Sequence, residues 1–143
     1  MFMKAKSYLS LLLFCVALLT LSACSSDDDD KSPEISTAAP GAGWKVSLFK
    51  EPGEDKTADY SGYTFEFADS GTIKLTGNNK AVSGIWQQFQ NDGVTKFKIG
   101  LNVQDKDLES LNHDWVIVAK TDKLISLKDD NSSSNEQLQF TKN

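Results

Sequence analysis

The sequence predicts an all-β domain: a small antiparallel eight-stranded up-and-down barrel with one short helical turn, carried behind a signal peptide and a disordered linker. Three observations predict it. From Trp44 onward apolar and polar residues alternate with a period of two, the pattern of strands with one buried face. Turn signals rich in Gly, Asn, Asp and Ser separate these runs at intervals of about 8–12 residues, the spacing of antiparallel barrels and sandwiches. Helical spacing occurs in one short segment, through Leu108 and Leu111.

The chain opens with Lys4 and Lys6, followed by a short apolar run from Leu9 to Leu21 and the small residues Ser22 and Ala23 before Cys24. That order is a secretory signal, and the run is shorter than the roughly 20 apolar residues of a membrane span. Leu21-Ser22-Ala23-Cys24 resembles a bacterial lipobox, where the leader is cut and the new N-terminal cysteine is acylated. An uncleaved anchor is the alternative. Each buried CH₂ of an acyl chain contributes about 0.8 kcal/mol, so two or three chains on Cys24 would hold the protein at a membrane. The resemblance implies an outer-membrane, lipid-anchored protein. Cys15 lies in the segment to be removed, so with Cys24 acylated no disulfide is available. The domain must then be held by its core alone.

Ser25 to Gly43 reads as a tether. Asp27 to Asp30 repel one another and stay solvated, while Pro33, Pro40, Gly41 and Gly43 stand among small polar residues. A spacer is one reading. The other is that Ser26-Asp27-Asp28-Asp29-Asp30 resembles the surface-export signal of some Gram-negative outer-membrane lipoproteins, which implies exposure at the cell surface. Calcium loops need spaced ligands and a turn glycine, which consecutive aspartates do not offer.

The strands follow in order. Trp44, Val46 and Leu48 alternate with Lys45, Ser47 and Phe49, so Phe49 is expected to face outward. Tyr63, Phe65 and Phe67 form the next inward row, and the turn Asp69-Ser70-Gly71 leads to Ile73 and Leu75. Ala81 to Trp86 is entered through Gly77-Asn78-Asn79, with Gly84 marking a bulge, a bend or a close backbone approach. Asn91-Asp92-Gly93 turns into Val94 to Leu101, with Phe97 and Ile99 inward and Lys96 and Lys98 outward. Asp105 to Leu111 is expected as one or two helical turns over a barrel end, capped by Asp105. Trp115 to Lys120, Lys123 to Lys128 and Gln137 to Thr141 complete eight strands.

The succession Gly43-Trp44-Lys45-Val46, Gly62-Tyr63-Thr64-Phe65-Glu66-Phe67, Ser70-Gly71-Thr72-Ile73, Ser83-Gly84-Ile85-Trp86, Asp114-Trp115-Val116-Ile117 and Ile125-Ser126-Leu127 is similar to the bacterial lipocalin-like lipoprotein domains. There a tryptophan opens the first strand, and an aromatic strand, a glycine turn, a short strand and a Gly-x-Trp strand follow. The similarity spans Trp44 to Phe140. It implies a lipocalin-like barrel, an anchored lipoprotein and a small apolar ligand. Arginine is absent, and no basic residue is evident to pack under the opening tryptophan. The division expected is residues 1–23 as lipoprotein signal peptide, 24–43 as acylated cysteine and acidic tether, and 44–143 as barrel domain.

The candidate ligand-binding residues are Trp44, Tyr63, Phe65, Trp86 and Trp115, as walls of an apolar pocket or, alternatively, as core. Tyr60 and Phe89 could join them. A barrel of eight short strands is either an open cup or filled by its own side chains.

Other chemistry is not expected. His113, the single histidine, stands beside Asp114 and could form an acid/base pair, but no second histidine or cysteine exists for a metal site and no serine lies in a nucleophile-elbow context, so it reads as a surface turn residue. Asp105-Lys106-Asp107-Leu108-Glu109 lacks the glycine of a calcium loop. Carboxylates do not converge as a glycosidase pair. No enzyme activity, cofactor or metal is therefore expected. The formal net charge is −5, and −7 once Lys4 and Lys6 leave with the leader, which excludes nucleic acid as a partner. The expected work is binding of a small hydrophobic ligand. The alternative is a protein-interaction or inhibitor module acting through barrel-end loops such as Glu51 to Ser61 and Gln104 to Asp114.

Overall fold

A computed structural model describes residues 35–143. The leader, Cys24 and Asp27 to Asp30 lie outside the described residues. The strands are β1 (Gly41–Glu51), β2 (Glu54–Asp55), β3 (Tyr63–Phe67), β4 (Thr72–Gly77), β5 (Lys80–Asn91), β6 (Val94–Leu101), β7 (Asp114–Lys120), β8 (Leu124–Lys128) and β9 (Gln137–Lys142). A 3₁₀ turn spans Thr57–Tyr60, and a short helix, α1, spans Lys106–Glu109.

All pairings between strands are antiparallel, and each long strand pairs with its neighbour in sequence. β1 also pairs β9, from Trp44↔Lys142 to Lys50↔Gln137. That pairing closes the sheet into an up-and-down ring of eight strands, with the two-residue β2 added on the end of β1. Closure leaves the ring no edge strand to protect. The turns follow local chemistry. Asn78 and Asn79 between β4 and β5, and Asp92 and Gly93 between β5 and β6, all have positive φ, as two-residue hairpin turns require.

Two bulges decide what faces inward. Against β9 the register of β1 shifts between Val46 and Leu48, leaving Ser47 as the extra residue. The shift reverses the alternation, so Phe49 turns into the core, where it is 1 % exposed, and Leu48 is half-buried. The outward placement read for Phe49 is thereby corrected. On β7 the register shifts between Ile117 and Ala119. Val118 is left exposed and Lys120 turns inward. The fourth long strand, β5, also runs beyond Trp86 to Asn91. The Asn91↔Val94 pair holds this extension to β6.

Gly84 marks a close approach of two strands. A Cβ built there would sit 2.0 Å from the Gly100 carbonyl oxygen on β6.

Inside the ring the aromatic side chains pack on one another. Phe67 is central, with ring centroids 5.4 Å from Phe97, 5.5 Å from Phe140 and 6.0 Å from Trp86, all edge to face. Phe65 meets Phe140 edge-on at 5.0 Å, and Trp86 stacks on Phe97. These are the offset and T-shaped arrangements that aromatic quadrupoles favour.

Candidate functional site

The five candidate ligand-binding residues are all in the core. Trp44, Phe65 and Trp115 are fully buried, and Tyr63 and Trp86 are nearly so. They do not share one wall. Trp44 and Trp86 lie toward the end where β1 begins, and each is fixed by its indole N–H: Trp44 donates to the Pro40 carbonyl (3.0 Å) and Trp86 to the Ala68 carbonyl (2.8 Å). Trp115 lies toward the opposite end and donates to the Leu111 carbonyl at 3.0 Å. Phe65 pairs with Trp44 across β3 and β1. A buried indole needs such a partner, because an unmade hydrogen bond there costs about 1–3 kcal/mol.

The opposite end carries the connections β1–β3, β4–β5, β6–β7 and β8–β9, and two of these form a roof. Asp105 caps α1 by accepting from the Asp107 N–H (3.1 Å), as its position before the helix predicts. Leu108 and Leu111 are buried beneath. Tyr60, on the 3₁₀ turn, packs edge-on against Phe49 at 5.3 Å and donates its hydroxyl to the Asp107 carbonyl, which joins the two roof elements. Burial, then the nearby Asp107 charge, pushes the Tyr60 phenol well above its ordinary pKa. Lys80 ties the β4–β5 turn to Asp105. The Asn112 side chain accepts from the Leu101 N–H and donates to the Leu101 carbonyl, holding the β6–β7 connection to its strand.

Solvent-facing clefts flank the β8–β9 loop. One, of about 390 Å³, has Val94 and Val116 as apolar lining and Asp129, Asn131, Asn135 and Glu136 as polar lining. The other, of about 610 Å³, lies between that loop and Glu51, Pro52, Glu54 and Asp55. The loop is drawn down by Lys96, an outward-facing lysine that is only 6 % exposed and pairs with Asp130. Burial, then Asp129, holds the Glu136 carboxyl above the usual carboxylate range. Burial opposes ionisation of Asp129 too, but the Ser134 hydroxyl and the backbone N–H groups of Asn131 and Asp130 outweigh it and keep its pKa low. His113 is exposed and rests against the Trp115 ring at 5.3 Å. Among the described residues no group of three or more His, Cys, Asp and Glu could hold a metal ion.

At the Trp44 end the segment Ile35–Pro40 crosses the barrel. Lys120, only 2 % exposed, donates to the carbonyls of Ser36 (2.7 Å) and Ala38 and to the Gln88 side-chain oxygen (3.0 Å). Burial lowers its pKa. Lys142 stands over Trp44, so a basic residue does pack against the opening tryptophan, contrary to the sequence expectation. Sequence reasoning passed over Lys120 and Lys142 because one owes its position to a bulge and the other to ring closure, whereas Gln88 lies on the inward face of β5 by plain alternation with Trp86. The run of Lys120 at the end of an otherwise apolar strand was the one local signal.

No family model matches the chain, and no curated protein matches it. Among solved structures it is similar to the crystal structure of a DUF4847 family protein from Bacteroides vulgatus. That likeness has a TM-score of 0.52 at 19% identity and covers 73% of this chain and 94% of the other. At this identity the likeness concerns the fold alone.

Proposed function

We propose that this chain is a lipoprotein anchored to the outer membrane through Cys24, whose lipocalin-like barrel is a non-catalytic binding module acting through the loops at one barrel end. The single observation that supports loop-mediated binding is the filled interior. Phe67 and its aromatic neighbours occupy the ring, whereas the clefts around the β8–β9 loop face solvent. A small apolar ligand held inside would have to displace the Tyr60 and α1 roof to reach Trp115. A protein partner meeting Glu51 to Ser61 and the β8–β9 loop needs no such rearrangement. The Asp27 to Asp30 run supports presentation at the cell surface.

Four measurements test this reading. Cys24→Ala should release the protein from the membrane fraction, and retention there would favour an uncleaved anchor. Titration of the protein with an apolar fluorescent probe should give no saturable binding, while crosslinkers placed at Pro52 and Ser133 should trap a partner in intact cells. Saturable probe binding that quenches the tryptophans, with no crosslinked partner, would return the assignment to a small apolar ligand. Proteinase shaving of intact cells, with Asp27 to Asp30 replaced by alanine as comparison, tests surface exposure.

A further inference from the structure

The Trp44 end shows a division of hydrogen-bonding roles. Toward the crossing segment the barrel's side chains supply donors, the Lys120 ammonium, the Trp44 indole N–H and the Lys142 ammonium, while the Gln88 side-chain oxygen accepts from Lys120. The crossing segment supplies acceptors, the carbonyls of Ser36, Ala38 and Pro40, spaced every second residue as in an extended chain. Lys120 engages two of the three. It lies there because the Val118 bulge turned it inward, where an ordinary strand would have placed Ala119.

Among the described residues the rest of the segment's attachment is light. Ile35 makes one isolated parallel bridge to Lys120, with the Ser36 N–H donating to the Lys120 carbonyl (3.1 Å). Ile35 and Ala39 are only partly buried against the core. Where the segment joins β1, Gly41 and Gly43 have φ of +77° and +89°, and the pairing with β3 is interrupted between Ala42 and Trp44. Two glycines at an interrupted pairing can absorb a large backbone rotation. Beneath the segment lies a cleft of about 140 Å³ bordered by Trp44, Lys120 and Lys142.

We propose that Ile35–Pro40 is a releasable strap closing this barrel end, hinged at Gly41 and Gly43 and latched by Lys120. A segment with, among the described residues, one backbone bridge and two half-buried apolar side chains belongs to the low-stability end of a protein's local openings. The ammonium contributes most of the hold, because hydrogen bonds from a charged donor are the strong ones. Burial of Lys120 disfavours its charge, and the strap carbonyls replace part of the water it has lost. Opening the strap returns Lys120 to solvent and uncovers a cleft where the Trp44, Lys120 and Lys142 donors stand beside the Asp122 carboxylate and the Gln88 side-chain oxygen.

Amide hydrogen exchange on the full-length protein in detergent tests this. In Lys120→Met, which keeps the apolar stem, strap amides should exchange at least tenfold faster, while amides of β3, β4 and β5 stay within about twofold of wild type. Unchanged strap exchange in Lys120→Met would overturn the latch. Should that variant lose protection throughout the barrel, Ser36→Pro decides, because it removes the Ser36 N–H and leaves Lys120 in place. Fast exchange of the Trp44 indole N–H, which donates to the Pro40 carbonyl, with a protected barrel in Ser36→Pro supports an independent strap. Barrel-wide loss in Ser36→Pro as well would show that the segment opens only with the whole fold.

Discussion

The Lys142 ammonium lies 5.7 Å from the centroid of the Trp44 indole ring. The two residues are cross-strand partners in the β1–β9 pairing that closes the barrel. Their meeting therefore reports ring closure directly: the last strand delivers a cation to the first strand's tryptophan. The same ammonium reaches the Pro40 carbonyl at 3.5 Å, next to the indole N–H that also donates there.

Lys142→Ala removes this cation from a half-buried site, where cation–π contacts contribute about 0.5–2 kcal/mol. The expected cost is about 1 kcal/mol, read as a lower urea midpoint with unchanged slope. Lys142→Arg should retain most of the stability, since a guanidinium also stacks on indole. An equal loss in both variants would point to the Pro40 contact instead.

Gly84→Ala tests the approach of β5 to β6. With a Cβ 2.0 Å from the Gly100 carbonyl oxygen, backbone must move, because there is no flexible side chain to yield. Overpacking of this kind costs about 1–3 kcal/mol, so a drop of several degrees in Tm is expected. No change in Tm would mean that the two strands are not held at this separation in solution.

Tyr60 makes the fold sensitive to alkali. Its pKa is raised in the folded state, so the folded protein keeps a proton that the unfolded chain loses near pH 10. The stability linked to Tyr60 is therefore complete below about pH 10 and falls as pH rises above it. Tyr60→Phe should cost about 1 kcal/mol at pH 7 through the lost bond to Asp107. It should also flatten the decline of Tm between pH 10 and 11; an identical decline in both proteins would assign the alkaline effect to other groups.

Glu136 behaves oppositely to a salt-bridged carboxylate. Its folded pKa is raised, so the folded state holds a proton more readily than the unfolded one, and stability falls as pH rises through the window above its ordinary value of 4.5. Glu136→Gln should raise Tm at pH 7 by about 1–3 °C, equivalent to roughly 0.5 kcal/mol, and the gain should vanish near pH 3. A gain that persists at pH 3 would mean that packing of the amide, not removal of charge, is responsible.

Much of the candidate site was legible in part. Trp44, Tyr63, Phe65, Trp86 and Trp115 can be recognised as inward residues from alternation alone, and all five are buried. Alternation does not say whether an inward aromatic borders a cup or fills it, because that depends on what the facing strands contribute. Phe97 and Phe140, which crowd Phe67, arrive from β6 and β9, far away in sequence. Lys96 makes the same point from outside. It is an outward lysine by pattern, and the β8–β9 loop buries it through Asp130.

What the sequence by itself determined is local: eight alternating runs, their turn residues, and the Asp105 cap, each written within a few neighbouring side chains. Only the tertiary structure decided the closure of β1 on β9, the bulges at Ser47 and Val118, the inward turn of Phe49 and Lys120, and the strap on Lys120. The physical reason is that side-chain direction in a strand has period two. A single extra residue reverses every position after it. Whether that residue is accommodated depends on the register of a partner strand, which the local pattern does not contain.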